Sequence, residues 1–133
     1  MNIKLALLTW VLMVLFAIGN GVFAEFVLAK ALGAYPVHLY KTVLAIAVIF
    51  IASRLYLERA YPDGATVNAA IYTGLLWSAS SIVFEFGFGH FIVGLPMEKI
   101  VAEYRISEGR LWSLVIVSEL IFPTLNFFIS FRD

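Results

Sequence analysis

The chain has no cysteine. Disulfides, thiolate metal sites and thiol nucleophiles are thereby excluded, and the redox compartment is left open. Charge is also scarce: charged residues make up 14% of the chain, against about 25% in a soluble domain. The 9 basic and 9 acidic side chains cancel, so no net field selects nucleic acid or an anionic substrate. No phosphate-binding glycine loop with lysine, no HExxH and no GxSxG occurs. The sequence therefore points to no enzyme and implies no cofactor. What fills the space is apolar, 62% of 133 residues, where about 45–50% is usual. That excludes an ordinary water-soluble domain.

A bilayer core about 30 Å thick needs roughly 20 apolar residues in a helix. Segments of that kind fall at about 3–24, 37–55, 66–91 and 111–131. Residues 1–26 also imitate a signal peptide, with one lysine, an apolar core and then Val22-Phe23-Ala24. The apolar core exceeds the roughly 7–15 residues of a signal core, so it reads as a span. Turn signals separate the segments: Gly33-Ala34-Tyr35-Pro36, Tyr61-Pro62-Asp63-Gly64 and Gly94-Leu95-Pro96. Over 97–105, Met97, Ile100, Val101 and Tyr104 share one helical face, which predicts a short amphipathic helix on the membrane surface. The expected fold is an all-α four-helix membrane bundle with an interfacial helix between spans three and four.

Both termini then share one side. That side holds Lys4, Arg54, Arg59 and Arg132, and the other holds Lys30, Lys41, Lys99, Arg105 and Arg110. This balance does not fix the orientation, although Lys4 on the first helix favours a cytoplasmic N-terminus.

Polar residues inside spans carry the functional expectations. Ala70, Gly74, Ser78, Ser81, Glu85 and Gly89 recur at helical spacing on the third span and form one stripe. Gly74, Ser78, Ser81 and Gly89 read first as a helix-packing face, with the wall of a hydrated path as the alternative. Glu85 lies near the end of that stripe, with Lys30, Lys41, His90 and Arg110 as possible partners. It is a buried ion pair, a group that handles a proton or cation, or a ligand-binding group. His90 lies about 140° further round a regular helix, so the two do not make a metal pair. The aromatics Phe84, Phe86, Phe88, Phe91, Tyr104 and Trp112 read as lipid-facing or as an interfacial belt and not as a cofactor box. Glu119 is the deepest ionisable residue, and Pro123 four residues on frees its carbonyl. Glu25 and Lys41 gather on the same membrane side as Glu85, His90 and Arg110.

FEFGFGH (84–90) and GRLW (109–112), with GNGVFAEFVLAKALG (19–33), resemble a family of small four-span bacterial inner-membrane proteins. The resemblance implies that Glu25, Glu85, His90, Tyr104 and Arg110 match family positions, and Glu119 does not. The family carries no defined activity, so the resemblance implies architecture and a bacterial inner-membrane location alone. The expected function is an oligomeric transporter or channel for a small cation, proton or polar solute. The alternative is a non-catalytic scaffold subunit of a larger membrane complex, docking through the Gly74–Ser81 stripe. Expected partners are the lipid bilayer and a homo-oligomer or such a complex, not nucleic acid.

Overall fold

A computed structural model describes residues 1–102, 105 and 112–131. Among these residues there are helices and no strands. Four helices are long and apolar enough to cross a bilayer: Ile3–Leu32, Ala34–Ala60, Val67–Ile92 and Trp112–Ile129. The chain is thus an all-α bundle of multi-pass membrane character.

The first span begins as α1 (Ile3–Phe23), where the Asn2 side chain accepts from the Leu5 N–H at 3.1 Å. That cap satisfies one of the orphan donors of a helix start. A π turn (Ala24–Leu28) and a short α2 (Ala29–Leu32) continue it. The span therefore runs past the expected end at residue 24. Gly33 stops it at φ 86°, a left-handed conformation that suits glycine.

The chain reverses within that single residue into α3 (Ala34–Ala60). Pro36 sits in its first turn, where no intrahelical N–H is needed. Gly64, at φ 123°, closes the next reversal. Thr66 then caps α4 (Val67–Gly87) by accepting from the Ala69 N–H at 3.2 Å. A second π turn (Phe88–Ile92) extends α4 towards the short α5 (Met97–Ala102). The last span is α6 (Trp112–Asn126) with a π turn (Phe127–Phe131). Of the expected surface helix, Met97–Ala102 is helical; Glu103, Tyr104 and Arg110 lie outside the described residues.

The halves of the bundle differ. The half near the N-terminus is tightly packed around Ala6, Tyr56, Leu57, Ala70 and Trp77, all at most 2% exposed. Polar side chains there bond across the helices. The Trp77 indole donates to the Ala6 carbonyl at 2.9 Å, and the Tyr56 and Trp77 rings meet at 5.6 Å. The fully buried Asn126 ties α6 to α3 by donating to the Phe50 carbonyl at 3.1 Å and to the Ser53 hydroxyl. Such bonds hold helices together where lipid removes the hydrophobic drive.

The α4 stripe lies against α6. A Cβ built at Gly74 would overlap the Leu120 carbonyl and stand 3.3 Å from the Glu119 carbonyl oxygen. Gly74 thus lets two backbones touch, and Ala70, Ser78 and Ser81 around it are buried. The face assigned to a scaffold partner is covered by the chain's own last span. Outward-facing residues such as Phe26, Val43, Val83 and Ile92 are more than 60% exposed, as lipid contact requires.

Candidate functional site

The other half of the bundle is hollow. Between the C-terminal parts of α1 and α4 and the N-terminal parts of α3 and α6 lies a cavity of about 590 Å³. The looseness has a cause. The first span packs mainly along α3 and scarcely touches α4. It is also the least buried of the spans. A gap therefore opens beside it, and α5 lies across the top.

The floor is a hydrogen-bonded chain through three helices. The Trp10 indole on α1 donates to Ser81 Oγ on α4 at 2.9 Å. Ser81 Oγ donates to Glu119 Oε2 on α6 at 2.7 Å. The direction is dictated by chemistry: an indole N–H can only donate, so Ser81 accepts from it and its single proton goes to the carboxyl. Glu119 is 4% exposed. A buried carboxyl without such a bond would be costly in this setting.

One turn above Ser81, Glu85 also faces the cavity and accepts a hydrogen bond from the Trp112 indole. Aromatic rings line this level. Phe84 and Phe88 stack at 5.1 Å with planes 8° apart, and Trp10 meets Phe84 edge-on at 6.0 Å. Residues 84 and 88 are four apart on a helix, so they share a face, and that face looks inward. The belt expected from the sequence holds for Phe91, 79% exposed, but Phe84, Phe88 and Trp112 line the cavity.

Charged groups ring the mouth. Lys41 lines the cavity and pairs with Glu25 at 3.1 Å. Lys99, His38 and Asn20 also line it, and the Tyr40 hydroxyl donates to Asn20 Oδ1 at 2.7 Å. Above them, Gly89 receives Ile100 of α5: a Cβ there would stand 3.1 Å from Ile100 Cδ1. Ile100 is 7% exposed and anchors α5 over the mouth.

The expected site residues therefore separate. Lys41, Glu85, Ser81, Gly89 and Glu119 border one cavity. Glu25 joins through its bond to Lys41, so Lys41 is drawn to Glu25 and is not offered to Glu85 alone. His90 is turned to the loop, with Nδ1 2.9 Å from the Leu95 carbonyl. Gly74 and Ser78 serve the α4–α6 contact away from the cavity. Arg110 lies outside the described residues. Trp10 was not expected. In sequence it is one more apolar residue in an apolar span, and only the fold sets it beside Ser81.

The site is built within a single chain. No family model, curated protein or solved structure matches the chain.

Proposed function

We propose that the chain is a small membrane transporter that binds a solute in this cavity and passes it across the bilayer. The observation that carries the reading is the cavity itself. About 590 Å³ lies within the range of small-molecule sites. It is closed on the N-terminal side by the packed half of the bundle and floored by Trp10, Ser81 and Glu119. A chain serving only as a scaffold has no use for a half-hollow bundle with two carboxyls facing the space.

One end open and one end closed is also the form that alternating exposure of a single site requires. The elements that would move are those held least. The first span meets α4 through the Trp10–Ser81 bond beside the cavity and the Trp77–Ala6 bond in the packed half, so breaking the floor bond would free its cavity end to swing about the packed end. On this reading the chain sits in the bacterial inner membrane with the N-terminus in the cytoplasm, the side Lys4 favours, and the cavity faces away from the cytoplasm.

The test is flux. Protein in proteoliposomes should carry at least one of rubidium, methylammonium or glycerol above the leak of empty vesicles. Glu85→Gln should lose that flux while eluting from a sizing column as the wild type does. Undiminished flux in Glu85→Gln would make Glu85 structural.

A further inference from the structure

We infer that the solute of this cavity is the polar head of a bilayer phospholipid, taken in from the side between α1 and α4 while the acyl tails stay in the membrane; the inference rests on the cavity being a solute site. Three observations lead there.

The first is an open side wall. Trp10, Met13, Val14, Ala17, Asn20 and Gly21 share one face of α1 and line the cavity. Ala17 stands in the middle of that face and is still exposed, and from Val14 to Phe23 no residue of α1 is buried. On α4, Phe88 lines the cavity and is exposed too. Beyond the edge-on contact of Trp10 with Phe84, the C-terminal part of α1 stands off from α4.

The second is depth. Ser81 and Glu119 lie near the middle of their spans, Val67–Ile92 and Trp112–Ile129. The floor is therefore near the bilayer centre, and the cavity is one leaflet deep. A gap in its side at that depth faces acyl chains and not water.

The third is another space across the same wall. A groove of about 450 Å³ is lined by Trp10, Ala79, Ser80, Val83 and Phe84. Trp10 and Phe84 border both the groove and the cavity. Val83, 71% exposed, sets the groove on the lipid side of α4. The small Ala79 and Ser80 leave the room there.

The two spaces differ in chemistry. The groove offers rings, methyl groups and one hydroxyl. The cavity reaches down to Ser81 and Glu119 and carries Asn20 and Lys41. An amphiphile fits both at once, head inside and tail in the groove. A head carried through bare hydrocarbon loses its hydrogen bonds, and a tail drawn into a wet cavity loses its apolar surroundings. The α1–α4 seam avoids both losses. Carboxyl and ammonium groups both line the cavity, so recognition rests on the joining of a polar and an apolar space and not on the sign of a charge.

The test is movement of phospholipid between leaflets. The full chain is reconstituted into vesicles with a trace of phosphatidylethanolamine or phosphatidylglycerol carrying a fluorophore on a short acyl chain. Albumin added outside is too large to enter and extracts the probe from the outer leaflet. Empty vesicles should yield about half of it. Vesicles with the wild type should yield nearly all, for at least one of the two lipids. Ala79→Leu fills the groove and Ala17→Trp blocks the side wall. Each should slow extraction of the second half several-fold while eluting from a sizing column as the wild type does. Val43→Leu, on the lipid face of α3, should not slow it. Extraction that stops at half for both lipids overturns the inference without need of any variant. So does full extraction that Ala79→Leu and Ala17→Trp leave as fast as in the wild type. The transport reading is scored apart. Flux of glycerol, methylammonium or rubidium with extraction that stops at half removes the phospholipid and leaves the transporter. Extraction that stops at half with no flux of those solutes removes both.

Discussion

Ser81 accepts a hydrogen bond from Trp10 at 2.9 Å and donates one to Glu119 at 2.7 Å. One hydroxyl therefore couples α1 to α6 through α4, at the level where the packed half of the bundle gives way to the cavity. Substituting Ser81→Ala removes both bonds. It leaves an indole N–H and a buried carboxyl oxygen without that partner, at a cost of about 1–3 kcal/mol. Unfolding in mixed micelles should show the loss, and Ser81→Thr should recover most of it. An alanine variant as stable as the wild type would mean the chain of bonds does not hold the floor.

The contact of α4 with α6 should be equally sensitive to a single methyl group. At Gly74 the added carbon meets backbone, which cannot swing aside. Gly74→Ala should cost about 1–3 kcal/mol, as overpacking does. Gly87, on the same helix, has nothing within 4 Å of an added Cβ. Gly87→Ala should change stability by no more than about 0.5 kcal/mol. Equal effects at the two positions would contradict the close approach of the helices.

These contrasts mark what the sequence could and could not disclose. The spans were legible because length and apolarity alone decide whether a helix can cross a bilayer. The α4 stripe was legible because period 3.6 needs no tertiary information. Its partner was not: nothing in the pattern says that α6, and not another chain, covers Gly74. Faces projected at a fixed angle per residue also fail beyond a π turn, which holds more residues than an α turn. Such turns occupy Ala24–Leu28 and Phe88–Ile92, where Glu25 and His90 lie. The bond of Lys41 to Glu25 and the turning of His90 to the Leu95 carbonyl follow from the fold and not from spacing. Trp10, Phe84 and Phe88 were hidden for a simpler reason: an aromatic ring in an apolar span looks the same whether it faces lipid or a cavity.

Asn126 supplies a control in the packed half. It is fully buried and bonds to Phe50 and Ser53 on α3, far along the bundle from Glu85. Asn126→Ala should lower stability by roughly 1–2 kcal/mol, in the range of interhelical bonds in membranes. Flux carried by the protein that remains folded should be unchanged. A tenfold loss of flux in this variant would show that the two halves are not separable.

The absence of cysteine makes the central claim directly measurable, because any thiol introduced is the only one in the chain. Ala45 and Ala52 lie on nearly the same face of α3, two turns apart. Ala45 borders the cavity, and Ala52 packs against the closed core. In Ala45→Cys and Ala52→Cys, the rate of labelling by a small, charged, membrane-impermeant thiol reagent reports water access at each level. The account predicts fast labelling at position 45 and little or none at position 52. Equal rates at both positions, or no labelling at 45, would contradict a solute cavity closed at one end.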